Sequence, residues 1–264
     1  MDNIFIMGTM VIPQFEDVIK ELVLPEWLNG KEVSQAFLQK ERVNMNHLME
    51  TCRCFQSLYA VICSARLNLS CACRKDYPEL LDSNNPQLSY VWMRSQFVNN
   101  AILWYNAAFD LTLQPLWIYY KVYTKTYPNL RLTTESLDKI LVSCRFDKLK
   151  KNGISEIGND LISQLDVLNS SIQNNIRLWA NTLKHRKKIE YIELSYNYHP
   201  FVVGDTFTIG KDKNGRKTIM IHDGEYNSSK TVKYVDMNEV VYALINFHKE
   251  LIPITKDIED QINL

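Results

Sequence analysis

The sequence predicts a mainly α-helical bundle with a small antiparallel β-hairpin near the C-terminus and a closing C-terminal helix. The 264 residues include only eight glycines and eight prolines, a composition that favours long regular elements over loops. Apolar side chains recur at three- and four-residue spacing through most of residues 33–187, which is the period of amphipathic helices. The period then changes to that of extended chain around Asn214-Gly215, a dipeptide typical of hairpin turns.

Three helices are predicted in the N-terminal half. Phe15–Leu24 forms a short helix, and Val33 to about Lys75 forms a long one with regularly spaced apolar positions. Leu88 to about Tyr127 forms a central helix that is apolar nearly all round, as in helices buried on most sides. Pro115 is expected to kink this helix or divide it in two.

The next two helices along the chain are predicted from helix-capping residues and from a row of regularly spaced apolar residues. Thr133 or Thr134 caps a helix that ends at Asn152-Gly153. Ile154 to about Lys187 is predicted as one amphipathic helix. Its apolar stripe consists of Leu161, Leu165, Leu168, Ile172, Ile176, Trp179 and Leu183. The sequence therefore predicts one long surface helix over this region.

The C-terminal segment is predicted to add the hairpin and a last helix. Thr206–Ile209 and Thr218–Ile221 are the predicted strands. Asp236 caps a helix over Glu239–Leu251, and Pro253 bends or ends it. We expect a helical bundle over residues 1–190 and the hairpin with its closing helix over residues 191–264, packed together as one compact unit.

Charge and cysteine usage limit the function classes. The 30 basic and 30 acidic residues balance, so nucleic acid would need a local basic patch. Met1–Pro13 lacks the pattern of a secretory signal, and polar residues interrupt the most apolar stretch, so we expect a cytoplasmic protein with no membrane partner. Cys52-x-Cys54 and Cys71-x-Cys73 are both expected on helices, where residues two apart cannot chelate one zinc ion. We expect no metal and no cofactor.

One constellation on the Ile154–Lys187 helix could carry chemistry. Arg177, Asn181 and His185 are one turn apart and fall within an arc of about 80°, opposite the apolar stripe, while Lys184 and Arg186 add positive charge. Arg is suited to hold phosphate, His to transfer a proton and Asn to orient a ribose or base. The alternative is the ordinary polar face of a surface helix.

A second polar line lies on the central helix. Asn99, Asn106 and Asp110 are spaced seven and four residues apart and share a face. One interpretation is internal hydrogen bonding between buried helices. The other is that the line faces a cleft or the Arg177–His185 region, where Asp110 would set the tautomer or charge of His185.

The segment Asn181-Thr182-Leu183-Lys184-His185-Arg186 resembles the Asn…Lys-His signature of HEPN-like helical-bundle proteins. The stretch from Tyr105 through Trp117 is similar to a divergent bacterial branch, so the resemblance covers about residues 33–190. It implies a homodimer that binds RNA or nucleotides, and in some members a metal-independent defence ribonuclease.

By this resemblance His185 would be the general acid or base, Arg177 would stabilise charge on the phosphate, and Asn181 would complete the catalytic group. Asn106, Asp110, Lys184 and Arg186 would bind the ligand. The family motif has four to six residues between Arg and His. Seven separate Arg177 from His185, whereas Arg42 and His47 match the spacing literally. The competing hypothesis is a non-catalytic homodimeric scaffold.

Overall fold

The computed structural model describes residues 15–24, 45–75, 77, 86–185, 189–194, 206–211, 217–222 and 235–262. The helices in chain order are α1 (Phe15–Glu21), α2 (Met45–Cys71), α3 (Pro86–Tyr119), α4 (Tyr123–Thr126), α5 (Thr134–Val142), α6 (Phe146–Ile157), α7 (Asn159–Asn174), α8 (Ile176–His185) and α9 (Met237–Ile262). The two strands are β1 (Thr206–Lys211) and β2 (Lys217–His222). A helical bundle was therefore correctly predicted.

Helix α3 lies at the centre of the bundle. It packs along α2 and also contacts α6, α7, α8 and α9. Tyr105, Phe109 and Trp117 on α3 are fully buried, and the Trp117 indole N–H donates a hydrogen bond to the Ile140 carbonyl at 3.0 Å. The nearly all-round apolar composition of this helix thus corresponds to a central position.

The end of the central helix differs from the prediction. Helix α3 continues through Pro115 and ends at Tyr119, so the proline does not divide it. The chain then turns: the Val122 N–H bonds to the Trp117 carbonyl and the Lys121 N–H to the Ile118 carbonyl, both at 3.1 Å. This is a Schellman motif. Lys121 occupies its left-handed position, with φ 53°.

The predicted helix from Thr133 to Gly153 is two helices. Thr133 caps α5 as expected, and its hydroxyl accepts the Ser136 N–H in a capping box. The chain leaves the helix at residues 143–145, and α6 then runs past Gly153 to Ile157. Gly153 is a packing position, because a Cβ there would lie 2.8 Å from the Ile157 side chain. The predicted C-cap at Asn152-Gly153 was wrong.

The single helix predicted over Ile154–Lys187 was also wrong. Gly158, with φ 94°, separates α6 from α7, and Asn175 separates α7 from α8. The reason lies in the stripe itself. Leu161, Leu165, Leu168, Ile172 and Ile176 are all buried on the same core, so the apolar period runs across the Asn175 break without interruption. A helix break that leaves the spacing of the apolar residues unchanged cannot be detected from that spacing.

The closing helix α9 is capped as predicted but is longer. The Asp236 carboxylate accepts the Asn238 N–H at 2.7 Å, and the Glu193 carboxylate accepts the Met237 N–H at 3.0 Å. The helix continues through Pro253 to Ile262, so the expected end near Leu251 was wrong. Through α9 the C-terminal part of the chain packs on α3 and α7.

The predicted fold class was wrong in its β component. Strands β1 and β2 pair antiparallel with each other, with Thr206 opposite His222, and the predicted Asn214-Gly215 turn lies outside the described residues. Where the structure describes side chains, the regular elements are helices, with no strand or sheet. A two-stranded hairpin alone is at best marginally stable. The alternation of apolar and polar residues that predicted the two strands therefore does not establish a sheet in the packed fold. The chain is a helical bundle.

The described helices also bear on the membrane prediction. Among them, none combines the length and the apolar composition needed to cross a bilayer.

Candidate functional site

The site is built around Arg177 in the first turn of α8, which packs on α3. The Arg177 Nη2 donates to the Asp110 Oδ1 at 2.6 Å. The guanidinium carbon lies 5.4 Å from the centroid of the Phe109 ring, close enough for a cation–π interaction. The Arg177 Nε is buried and has no hydrogen-bond partner among the described residues. The guanidinium is thus held in place while one of its donors is unused.

Arg177 on α8 forms one wall of a cleft of about 640 Å³, which is also lined by residues of α3, α5, α6, α7 and the α5–α6 connection. We call this the Arg177 cleft. Its charged lining consists of Asp110, Arg145, Asp147 and Arg177, and its aromatic lining of Phe109 and Phe146. The two rings are tilted with centroids 6.4 Å apart. The volume falls within the roughly 300–1,000 Å³ of small-molecule sites.

The start of α6 contributes positive potential to the cleft. Arg145 precedes the helix and supplies no side-chain cap, so the first N–H groups of α6 are not satisfied by it. The positive end of the helix dipole lies at the same place. Arg145 also forms an ion pair with Asp147 at 3.3 Å, and both side chains are largely exposed. The cleft therefore combines two arginines, two aspartates and a helix N-terminus.

Cys144 lines the cleft but is a poor nucleophile. Burial raises the pKa of its thiol well above the ordinary value, the nearby Cys54 and Asp110 raise it further, and Lys148 opposes them. With its pKa raised, the Cys144 thiol stays protonated at neutral pH. Because the thiolate is the reactive form of cysteine, the side chain reacts slowly.

The structure does not bring His185 to Arg177. Both lie on α8, but they are eight positions apart, which places them about 12 Å from each other along the helix axis. Lys184 and His185 are exposed at the far end of the helix, and Asn181 is exposed one turn after Arg177. The expectation that Asp110 orients His185 was wrong, because Asp110 pairs with Arg177. Arg186 lies outside the described residues.

The polar line on α3 has two different environments. Asn99 accepts a hydrogen bond from the Tyr191 hydroxyl at 2.8 Å, which is the predicted internal bonding between elements. Asn106 is buried, and its Oδ1 has no partner among the described residues. It lies one turn from Asp110, which faces the cleft. Only the Asp110 end of the line reaches the site.

The alternative motif at Arg42 and His47 is only partly described. Arg42 lies outside the described residues. The His47 Nε2 is 2.9 Å from the Tyr123 hydroxyl, and burial, with the charge of Lys121, lowers the pKa of the imidazole. His47 is therefore a neutral side chain bonded between α2 and α4.

Sequence reasoning missed the α6 side of the cleft. Arg145, Phe146 and Asp147 were predicted to lie inside a continuous helix, where they would have had no special position. A signal was present, because Asp147 is the acidic residue expected in the first turn of a new helix.

No metal site accompanies the cleft: across the described parts of the chain, no three His, Cys, Asp or Glu side chains are grouped to hold an ion.

Against models of known protein families, curated proteins and solved structures, the chain has no match.

Proposed function

We propose that the chain is a HEPN-like protein that binds the phosphate of a nucleotide or of RNA in the Arg177 cleft. The observation that carries the proposal is the Arg177 guanidinium, fixed by Asp110 and the Phe109 ring in the wall of a cleft large enough for a small ligand. An arginine with its orientation already set loses little conformational freedom on binding an anion.

The other side of the cleft supports the same ligand. The start of α6, which the Arg145 side chain does not cap, contributes N–H donors and the positive end of the helix dipole to the cleft lining, as in other anion sites at helix N-termini. Phe146 supplies an apolar ring at the same edge, against which a base can pack. Phosphate recognition and base contact are therefore available in one recess.

The arrangement supports binding more than cleavage. Metal-independent RNA cleavage needs a proton-transfer group and a charge-stabilising group at the same phosphate. Within one chain His185 and Arg177 are about 12 Å apart along α8, so His185 could serve the Arg177 cleft only from a second chain. If the protein does cleave RNA without metal, His185→Ala should abolish the activity and leave the fold intact.

Binding is tested with labelled single-stranded RNA and with nucleoside monophosphates. Arg177→Gln should weaken binding by about tenfold or more, since a charge-assisted contact contributes roughly 1.5–3 kcal/mol. Arg131→Gln is the matched control, because Arg131 is exposed and lies outside the cleft. Equal loss in both variants, or loss in neither, would reject the cleft as the binding site.

A homodimeric scaffold is the second candidate function. Trp92 and Trp104 on α3 are 38% and 40% exposed, with Leu103 and Leu111 half-buried between them. These four side chains fall within about 120° of the helix circumference, and exposed aromatic residues are enriched at interfaces. If they form the dimer interface, Trp104→Glu should convert a dimer to a monomer in light scattering. A wild-type monomer at all concentrations would reject this role.

A further inference from the structure

We infer that the exposed side of α3 extends the Arg177 cleft into a binding site for a single-stranded oligonucleotide, in which Trp104 stacks against a base and Lys184 contacts a second phosphate. The inference rests on the proposed function and narrows its ligand from a free nucleotide to a short strand.

One side of α3 is exposed and leads into the cleft. Between the middle of the helix and the cleft, its exposed or half-buried residues are Asn100, Leu103, Trp104, Ala107, Asp110 and Leu111. We call these residues the α3 strip. At 100° per residue they fall within about 120° of the helix circumference. Asp110 lies at one edge of the strip and also lines the cleft, whereas Trp104 lies at the other edge. The α3 strip and the Arg177 cleft therefore adjoin.

Helix α8 borders the strip and runs antiparallel to α3. Near its start, Arg177 contacts Asp110 at 2.6 Å. Six positions after its last residue, the Tyr191 hydroxyl donates a hydrogen bond to Asn99, which is eleven positions before Asp110 on α3. Lys184 is seven positions after Arg177, which places it about 10 Å further along α8 and on nearly the same side of that helix. Lys184 is therefore on the strip side of α8.

The charges along this surface suit a chain of phosphates. Helix α8 contains an arginine, a lysine and a histidine but no acidic residue. On α3, the only charged residue in Pro86–Phe109 is Arg94, which is buried. The first carboxylate on this face of α3 is that of Asp110, which Arg177 offsets. Lys184 is exposed, so the strip is an uncharged surface with cations along its α8 border, and it is complementary to a polyanion.

The spacing of the two cations separates two phosphate positions. Arg177 is held at the cleft by Asp110 and the Phe109 ring, and Lys184 is about 10 Å beyond it along α8. A phosphate bound by Arg177 therefore leaves Lys184 to the next one. Trp104 is six positions before Asp110, about 9 Å along α3, so it lies at the level of Lys184. It is 40% exposed. Cationic contacts beside an aromatic ring on which a base can stack are what binds single strands.

The test compares ligands of increasing length. Adenosine 5′-monophosphate and 5′-phosphorylated oligoadenylates of two, three and four nucleotides are titrated into the full chain by calorimetry. The wild type should bind the trinucleotide about tenfold more tightly than the mononucleotide, or better, because the longer ligand adds a stacked base and a phosphate contact. In Trp104→Ala this ratio should fall below about threefold, because the stacking contribution is lost.

Two further variants separate base stacking from a structural role of Trp104. Trp104→Phe keeps an aromatic ring and should retain most of the ratio, but it should lose much of the tryptophan fluorescence quenching that a stacked adenine causes in the wild type. Lys184→Gln should weaken trinucleotide binding and reduce the slope of log affinity against log salt by about 0.7, the loss of one phosphate contact on a single strand.

Trp92→Ala and Lys256→Gln are the matched controls. Trp92 is on the same helix and is 38% exposed, but it lies 18 positions, about 27 Å, from Asp110, well past Trp104. Lys256 is exposed on α9. Both variants should leave the ratio of trinucleotide to mononucleotide affinity unchanged. Thermal unfolding of each variant checks that it folds.

Three outcomes would count against the site. Equal affinity for mononucleotide and trinucleotide, or an unchanged ratio in Trp104→Ala, would overturn the oligonucleotide site while the proposed function stands. A wild-type dimer that Trp104→Ala converts to a monomer, with no gain in affinity from ligand length, would assign the α3 strip to a second copy of the chain. Failure of the mononucleotide and of every oligonucleotide to bind would overturn both the site and the proposed function.

Discussion

Arg177 on α8 donates a hydrogen bond to Asp110 on α3 at 2.6 Å, and this ion pair joins the two helices at the wall of the cleft. Both side chains are partly exposed, so solvent screens their attraction. The stacked Phe109 ring adds a cation–π contact. The pair therefore orients the guanidinium more than it stabilises the bundle.

A double-mutant cycle on this pair tests that conclusion. Arg177→Ala, Asp110→Ala and the double variant should give a coupling free energy of unfolding of about 1 kcal/mol or less, as for other exposed pairs. Urea denaturation measures it. A coupling well above about 2 kcal/mol would mean that the pair is a structural element of the bundle, and a ligand could not displace Asp110 easily.

Cys144 provides a chemical reporter of the cleft. Because burial and the neighbouring Cys54 and Asp110 raise the pKa of the Cys144 thiol, iodoacetamide should modify it slowly at neutral pH and faster as the pH rises. Lys148 lowers the same pKa, so Lys148→Gln should slow the reaction further. Peptide mass spectrometry measures the modification.

Ligand protection makes the Cys144 experiment specific. A nucleotide bound in the Arg177 cleft should reduce the rate of Cys144 alkylation in the wild type but not in Arg177→Gln. Protection that persists in Arg177→Gln would place the ligand elsewhere. Rapid alkylation of Cys144 at neutral pH without ligand would contradict the raised pKa of its thiol.

Much of the fold could be predicted from the apolar period, but the helix breaks could not. The central position of α3 and the caps at Thr133 and Asp236 follow from local composition, because they depend on side chains near in sequence. The break at Asn175 keeps the apolar stripe in phase, and Pro253, which was expected to bend or end the last helix, lies inside a helix that continues to Ile262. Packing of α9 over its whole length outweighs the missing hydrogen bond at that proline.

The site was predictable to the same extent. The sequence placed Asp110 and Arg177 on faces that could meet, and the structure brings them together. It also grouped Arg177 with His185 by angle, but angle alone ignores the rise along the helix. Arg145 and Asp147 enter the cleft only because α5 and α6 are separate helices. The separation of α5 from α6 depends on how the connection at residues 143–145 packs in the tertiary structure, so local sequence does not reveal it.

Lys121 should be replaceable with a gain in stability. It adopts φ 53° at the left-handed position that ends α3, a conformation that costs a residue with a Cβ roughly 1–2 kcal/mol. Glycine avoids that cost but loses about 0.5–1 kcal/mol of unfolded-state entropy. Lys121→Gly should therefore raise the free energy of unfolding by up to about 1 kcal/mol. Lys151→Gly, at an exposed position inside α6, is the control and should destabilise.

Arg94 should be indispensable to the bundle. Only 1% of this residue is exposed. Its Nε donates to the Ala72 carbonyl and its Nη2 to the Asn238 Oδ1, both at 2.9 Å, so it joins the end of α2 to the start of α9. Arg94→Ala leaves both acceptors buried without a partner and should cost about 3–5 kcal/mol, as for other broken buried polar contacts.

Two comparisons qualify the Arg94 result. Asn238→Ala removes one of the two contacts and should cost less than Arg94→Ala. Arg94 also lowers the pKa of the Glu193 carboxyl, which burial raises, so Arg94→Ala should raise that pKa further. Chemical denaturation gives the free energies. A loss below about 1 kcal/mol for Arg94→Ala would show that the buried network contributes little.

His248 should make the bundle sensitive to acid. Its Nε2 lies 2.7 Å from the Val23 carbonyl and its Nδ1 3.0 Å from the Tyr105 hydroxyl, so the neutral ring donates to the first and accepts from the second. Burial lowers the pKa of His248 from 6.5 to about 4. Below pH 6.5 His248 therefore binds a proton in the unfolded chain but stays neutral in the folded chain. The free energy of unfolding falls as the pH drops towards 4, by at most about 3 kcal/mol.

Glu259 acts in the opposite direction and must be removed to isolate this effect. Burial, with the charge of Asp260, raises the pKa of Glu259 to about 7, so its contribution to stability is lost as the pH rises from 4.5 through 7. In a Glu259→Gln background, His47 and Glu193 still contribute to the pH dependence, so the His248 loss is the part of the slope between pH 7 and pH 4 that depends on His248. Adding His248→Gln should flatten the curve, because the replacement keeps polar groups at the site and cannot titrate. The same pH slope with and without His248 would assign the acid sensitivity to other groups.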